Sequence, residues 1–329
     1  MKILITGIAG FVGGHLAEYC LKQSCEVHGL DRLDSEKKLP EAIDGKIHLH
    51  NVDIRDTSAL MGMLYKIRPD RIFHLAAQSY VPLSWRSPQD TLATNILGQA
   101  NLFEALRELG LKPRVHVAGS SEEYGWVAPS EIPIVETNPL RPLSPYAVSK
   151  VTQDLMAYQY HRSYNLHAVR TRAFNHTGPR RGEHFVTSSF ARQIALIESG
   201  QQKSTMYTGN LDAIRDFSDV RDIVRAYWMA LETCESGEVY NICSETGRSI
   251  ADVLKIYLTT TKSKIDIRKD PARLRISDLP IVVGSSKKFR EATGWTPEIP
   301  FEQTLEDLLN DWRRRVKETP VTPDEKVIA

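Results

Sequence analysis

The stretch Lys2-Ile3-Leu4-Ile5-Thr6-Gly7-Ile8-Ala9-Gly10-Phe11-Val12-Gly13 decides how this chain is read. Residues 2 to 6 are a short apolar strand, and a helical pattern runs from about 11 to 23. Between them Gly7 lets the chain turn sharply, and Gly10 removes a side chain where backbone must approach a pyrophosphate. Gly13 allows close helix–strand packing. The helix start, with Phe11 and Val12, presents free N–H groups and a favourable dipole to a diphosphate. Three glycines at this spacing also suit a plain structural turn. The strand before, the helix after, and Asp31 at the end of the next strand make it a dinucleotide-binding turn. Asp31 can accept both adenosine ribose hydroxyls and repels a 2′-phosphate, which favours NAD. The adjacent Arg32 could accommodate that phosphate, so NADP stays open.

Outward from this turn, strand and helix alternate for about 170 residues. Strands are expected at 26–30, 47–51, 71–77, 114–118 and 166–171, with helices at 57–66, 89–109 and 145–163. The rhythm predicts an α/β fold, a Rossmann doubly wound parallel sheet with helices on both faces. After Asn175 the rhythm breaks, then returns in a helix at 219–233 and a strand at 239–242. The expected division is a dinucleotide-binding domain at 1–174, with 215–244 returning to it. A smaller mixed α/β substrate-binding lobe takes 175–214 and 245–316, and a polar tail takes 317–329.

The composition excludes several classes of function. The 329 residues carry a formal charge of +1, with 41% hydrophobic and 25% charged residues. That balance gives no sign of nucleic acid or an anionic membrane as partner. Cys20, Cys25, Cys234 and Cys243 form no CxxC, and no Cys/His cluster has metal-ligand spacing along the chain. Free thiols, no metal and a cytoplasmic location are the expectation. No apolar run reaches the length of a membrane span.

The chemistry is expected at Ser120, Tyr146 and Lys150. Tyr146 and Lys150 are four apart in Ser144-Pro145-Tyr146-Ala147-Val148-Ser149-Lys150, and Pro145 suits a helix start. Four residues apart share one helical face, so the ammonium can lie beside the phenol and lower its pKa. Tyr146 can then exchange a proton with a sugar hydroxyl as hydride moves at the same carbon. Ser120 ends the fifth strand, the sheet edge that carries ligands; it could bond the reacting oxygen or satisfy a local turn. Glu122, two residues on, could remove a proton next to a carbonyl, orient a hydroxyl, or sit exposed. Glu123 is read as surface and Tyr124 as packing. Asp53 could meet the adenine amino group or cap the helix near 57. Ile54 and the loop Leu75-Ala76-Ala77 complete the expected cofactor lining.

At this point the chain closely resembles the extended short-chain dehydrogenase/reductase family, over nearly its whole length. Within it the chain looks most like the branch of GDP-mannose 4,6-dehydratases and GDP-6-deoxy-4-keto-mannose reductases. The segments that carry the likeness are His74-Leu75-Ala76-Ala77-Gln78-Ser79, Gly119-Ser120-Ser121-Glu122-Glu123-Tyr124-Gly125, Arg141-Pro142-Leu143-Ser144-Pro145-Tyr146, Arg172-Ala173-Phe174-Asn175-His176, the run from Gly178 to Arg192, and Gly209 to Asp216. The resemblance implies that Tyr146 is proton donor or acceptor and that Lys150 also holds the nicotinamide ribose. Ser120 would stand for the family's threonine or serine, and Glu122 for the dehydratase base at C5. It implies sugar or phosphate contacts at Asn175, a pyrophosphate clamp at Arg215 and Arg275, and a guanosine pocket shaped by Val186, Arg192 and Asn210. Ser79, Ser121 and Arg180 join the expected substrate contacts; guanidinium forks suit a diphosphate. A homodimer is also implied, packing through the helices near 89–109 and 145–163.

Within the branch, local departures favour a reductase. The turn lacks the Gln-Asp pair typical of dehydratases, Ser120 replaces their threonine, and Asp216-Phe217-Ser218-Asp219 replaces their Trp-Gly form. The expectation is therefore reduction of GDP-4-keto-6-deoxy-D-mannose at C4 by NAD(P)H to give GDP-D-rhamnose. The alternatives are a GDP-mannose 4,6-dehydratase with tightly bound NAD(P), using Glu122, and a catalytically silent dinucleotide sensor.

Overall fold

The computed structural model describes residues 1–32, 39–274 and 279–318. In chain order the strands are β1 Lys2–Thr6, β2 Glu26–Asp31, β3 His48–Asn51, β4 Arg71–His74, β5 Arg114–Ser120, β6 Ala168–Ala173, β7 Asn175–Thr177, β8 Thr205–Thr208, β9 Ile214–Asp219, β10 Val239–Ile242, β11 Gly247–Ser249, β12 Asp266–Lys269 and β13 Ile281–Val282. The helices are α1 Phe11–Lys22, α2 Thr57–Ile67, α3 Val81–Arg86, α4 Pro88–Leu92, α5 Gly98–Glu108, α6 Pro145–Tyr164, α7 Val186–Glu198, α8 Val220–Thr233, α9 Ile250–Thr259, α10 Lys287–Thr293 and α11 Phe301–Glu318.

Seven short strands pair as one parallel sheet, in the order β10-β6-β5-β4-β1-β2-β3. This is the doubly wound order with one strand added. One face is closed by α1 and α8, whose apolar sides meet Ile3, Ile5 and Val27. The other is closed by α2 and α5, packed on Leu4, Leu30 and Ile72. The second lobe has its own core, in which Phe190, Ile194, Leu305 and Trp312 join α7 to α11. Its sheet centres on β9, flanked by β11 and β13 and also paired with β7. The return to the large sheet therefore begins at α8; β9, expected with it from residue 215, belongs to the smaller sheet.

The helix expected over 89–109 is broken into α4, a π turn at Ala93–Leu97, and α5. The wider turn faces Asn95 inward, fully buried, where its amide donates to the Gln78 carbonyl (3.1 Å) and to Ser149 Oγ (2.8 Å). The helix after β3 is capped by Asp56, which accepts from Ala59 N, so the capping role considered for Asp53 falls to Asp56. Among the described residues no helix is long and apolar enough to cross a membrane. Of the expected polar tail, 317–318 belong to α11 and 319–329 lie outside the described residues.

Candidate active site

A cleft of about 520 Å³ opens at the carboxyl ends of β1, β4 and β5, where the strand order reverses. This is where an open α/β sheet binds its ligands. Gly7 takes a positive φ of 76°, and its N–H donates to the Leu30 carbonyl at 2.7 Å. A Cβ on Gly13 would stand 2.3 Å from the Gly7 carbonyl oxygen, so only glycine lets α1 start so close to β1. Gly10 caps α1 without any side-chain acceptor, which leaves the first N–H groups of the helix to face the cleft. Asp31 is buried, and its Oδ2 accepts from Ala9 N at 2.8 Å, tying the end of β2 to the glycine turn.

Of the expected cofactor residues, Gly7, Gly10, Phe11, Val12 and Gly13 line this cleft with Asp31, Arg32, Asp53 and Ile54. Leu75, Ala76 and Ala77 line it from the loop after β4. Asp53 accepts from the backbone and guanidinium of Arg55, which hold its carboxyl down at about 2. Arg32 is solvent-exposed, 3.6 Å from Asp53.

The same cleft receives Ser120, Ser121, Glu122, Tyr146 and Lys150. Pro145 opens α6, and Ser144 caps it by accepting from Ala147 N at 3.1 Å. Tyr146 thus lies in the first turn, with Lys150 one turn later on the same face. The Tyr146 phenol is buried and hydrogen-bonds Ser120, while Lys150 Nζ donates to the Ala118 carbonyl at 2.8 Å. Lys150 Nζ is 5.9 Å from the Tyr146 ring centroid. The expected lowering of the phenol pKa by Lys150 is not found. Burial pushes the phenol well up, and what pulls it back is the Ser120 hydroxyl and the charge of Arg181. Burial also pulls Lys150 down to about 8. Ser120 fulfils the turn role as well, accepting from Glu122 N at 3.2 Å.

Glu123 overturns its surface reading: it is fully buried, accepting from Ser120 N at 2.8 Å and from Arg172 Nε at 2.9 Å. Arg172 also binds Asp154 of α6, so a buried ionic cluster ties β5, β6 and α6 together directly behind the phenol. Burial and the neighbouring Asp154 raise the Glu123 carboxyl. Tyr124 packs as expected, and its hydroxyl donates to Asn241 Oδ1 at 2.6 Å.

The expected substrate residues divide. Ser79, Asn175 and Val186 line the cleft beside Ser120, Ser121 and Glu122. Arg180 does not: it is paired with Glu18 and its N–H donates to Asp311, at the junction of α1 and α11. The cleft receives Arg181 instead, its guanidinium carbon 4.6 Å from the Phe11 ring centroid and 3.4 Å from that of Phe185. Burial pulls Arg181 down to about 9, and its Nε has no hydrogen-bond partner among the described residues. Nothing in the Arg180-Arg181 pair tells along the sequence which side chain turns inward. Arg192 is paired with Glu183 at 2.7 Å, Asn210 accepts from Asp212 N, and Arg215 donates to the Ile214 carbonyl; none of the three lines the cleft. Arg275 lies outside the described residues.

A glycine turn on the first strand, a carboxylate ending the second, and a Ser–Tyr–Lys group across one cleft define an enzyme of the extended short-chain dehydrogenase/reductase class. Within that class the chain belongs to the GDP-mannose 4,6-dehydratase family, whose model matches residues 4–308. It is 36% identical to the GDP-6-deoxy-D-mannose reductase of Pseudomonas aeruginosa over 317 residues, covering 96% of this chain and 99% of that one. It is 35% identical to the GDP-mannose 4,6-dehydratase of Yersinia enterocolitica over 347 residues, covering 94% and 92%. The solved structure of RMD from Pseudomonas aeruginosa, complexed with NADPH, matches with a TM-score of 0.85 at 34% identity, covering 96% and 99%.

Proposed function

We propose that the chain reduces GDP-4-keto-6-deoxy-D-mannose at C4 to GDP-D-rhamnose, drawing on NAD(P)H. The observation that carries this reading is a phenol, Tyr146, kept protonated by burial at the floor of the dinucleotide cleft and bonded to Ser120. A reductase needs a donor that arrives with its proton. The likeness to the Pseudomonas reductase, over 96% of the chain, supports the same reading.

The cleft fits a dinucleotide, because its glycines leave backbone N–H groups open where a Cβ would intrude. When bound, the reduced nicotinamide supplies the hydride to the sugar carbonyl carbon. Ser120 orients the carbonyl oxygen, and Tyr146 donates its proton to that oxygen. The phenolate left behind faces the Arg181 guanidinium, the charge that favours it. Lys150, anchored on the Ala118 carbonyl, is placed to hold the nicotinamide ribose. Asp31 and Arg32 stand at the adenosine end; the carboxylate suits NAD, the exposed guanidinium suits NADP. Arg181, rather than Arg180, is the cleft's fork for a diphosphate. Residues 1–174 with the returning helix and strand form the dinucleotide half, and the lobe beyond forms the sugar half. The chain works as a homodimer, and its four buried thiols suit the cytoplasm.

A second reading, 4,6-dehydration of GDP-mannose, is favoured by Glu122, which lines the cleft and acts electrostatically on Tyr146. Incubation with GDP-4-keto-6-deoxy-mannose and NADH or NADPH should oxidise the cofactor in step with product. Loss of water from GDP-mannose without net cofactor use would instead establish the dehydratase. Turnover of neither, with tight dinucleotide binding, would leave a sensor.

A further inference from the structure

We infer that Glu26, His28 and His48 form a binding site for one divalent transition cation, Zn²⁺ or its neighbours Ni²⁺ and Cu²⁺, on the edge of the large sheet. Side chains alternate along a strand, so Glu26 and His28 share one face of β2. The parallel register sets His48 of β3 beside His28. One ligand atom from each of the three lies within 4.8 Å of the other two. Spacing along the chain hides this group, because the pairing of two strands assembles it.

His28 is buried, and its ring is held at both ends. Nε2 lies 3.0 Å from Glu26 Oε1, and Nδ1 lies 3.1 Å from His50 Nε2. A cation on Nε2 takes the neutral-ring tautomer whose single proton sits on Nδ1, and that N–H donates to His50 Nε2. A histidine ligand whose second nitrogen is so engaged is oriented for metal. His28 and His48 are stacked, with centroids 4.7 Å apart and planes at 24°, so His48 must swing out of the stack to present a lone pair. It is exposed, and the swing meets no packed core. Two imidazoles and a carboxylate select borderline cations over Mg²⁺ or Ca²⁺. The opposing charge is Lys2, which acts on both Glu26 and His28; its Nζ is bonded to the Ile67 carbonyl at 3.4 Å. None of the three ligands lines the cleft. β3 is the last strand of the sheet, so the cation would join it to β2 and raise the melting temperature.

The test is titration of the tag-free, chelator-treated chain with ZnCl₂, by calorimetry and by thermal melting. One saturable Zn²⁺ per chain is expected, with an upward melting shift. His48→Ala, an exposed change, should weaken binding at least about tenfold and abolish the shift, with turnover unchanged. Glu26→Gln should weaken it likewise. Absence of saturable uptake, or equal uptake by His48→Ala, would overturn the site.

Discussion

Tyr146 and Lys150 make opposite demands on pH. Burial keeps the phenol protonated far above neutrality, whereas it pulls Lys150 down to about 8. The ammonium is therefore intact below pH 8 and is lost as pH rises through that value. Reduction should weaken along the same limb, and Lys150→Met should flatten the profile at a low level; kcat/KM from pH 6 to 10 reads this directly. Stability moves the other way. Between about 8 and the ordinary lysine value near 10.5 the unfolded chain binds this proton more tightly, so the Lys150 contribution to stability rises with pH, against the buried thiols, whose raised values act in the opposite sense. Tyr146→Phe removes the donor and should lower turnover by about 10²–10⁴-fold with little change in dinucleotide affinity. Unchanged turnover would remove Tyr146 from the mechanism. At this scale the sequence is informative where chemistry is local: tyrosine and lysine one helical turn apart, glycines between a strand and a helix. It is silent where a partner is remote. Glu123 reads as surface because carboxylates mostly are; its partner Arg172 comes 49 residues later, on the neighbouring strand.

Among the elements, the glycine turn and the ionic cluster behind β5 carry most of the precision. Gly13→Ala drives a methyl to 2.3 Å from the Gly7 carbonyl oxygen, and α1 must retreat from β1. A loss of about 1–3 kcal/mol in denaturant unfolding is expected, with weakened dinucleotide binding. Arg172→Met leaves Glu123 buried without its cation, while Asp154 keeps Arg170, and should cost about 3–5 kcal/mol by the same measurement. Most strands of the large sheet are legible as short runs with apolar residues between turn signals, such as Lys2–Thr6 and Arg71–His74. The break at Ala93–Leu97 is not legible, since nothing in Ala93-Thr94-Asn95-Ile96-Leu97 departs from helical periodicity. The π turn answers to Gln78 and Ser149, which reach it from other elements. Pairings around β9 are hidden for the same reason, as its partners β7, β11 and β13 are scattered along the chain.

Across the whole molecule, apolar side chains remain uncovered on one side of α6 and the adjoining π turn, with Val148, Leu155 and Leu97 all exposed. Val148 and Leu155 are two turns apart on one helical face, where the homodimer is proposed to close. Leu155→Glu should convert the dimer to monomer by light scattering after gel filtration while sparing the fold by circular dichroism. A wild-type monomer would end the proposal. The late recruitment of β10 and α8 into the large sheet bears on how the chain can be cut. A fragment stopping at Phe174 would leave α1 and the central strands without Val220, Ile223, Val224 and Tyr227. Its outermost strand would become β6, bared along one side for edge-to-edge association with other chains. The nucleotide-holding half is thus not a severable cassette: newly synthesised chain must wait for residue 242 to emerge before that half can be completed.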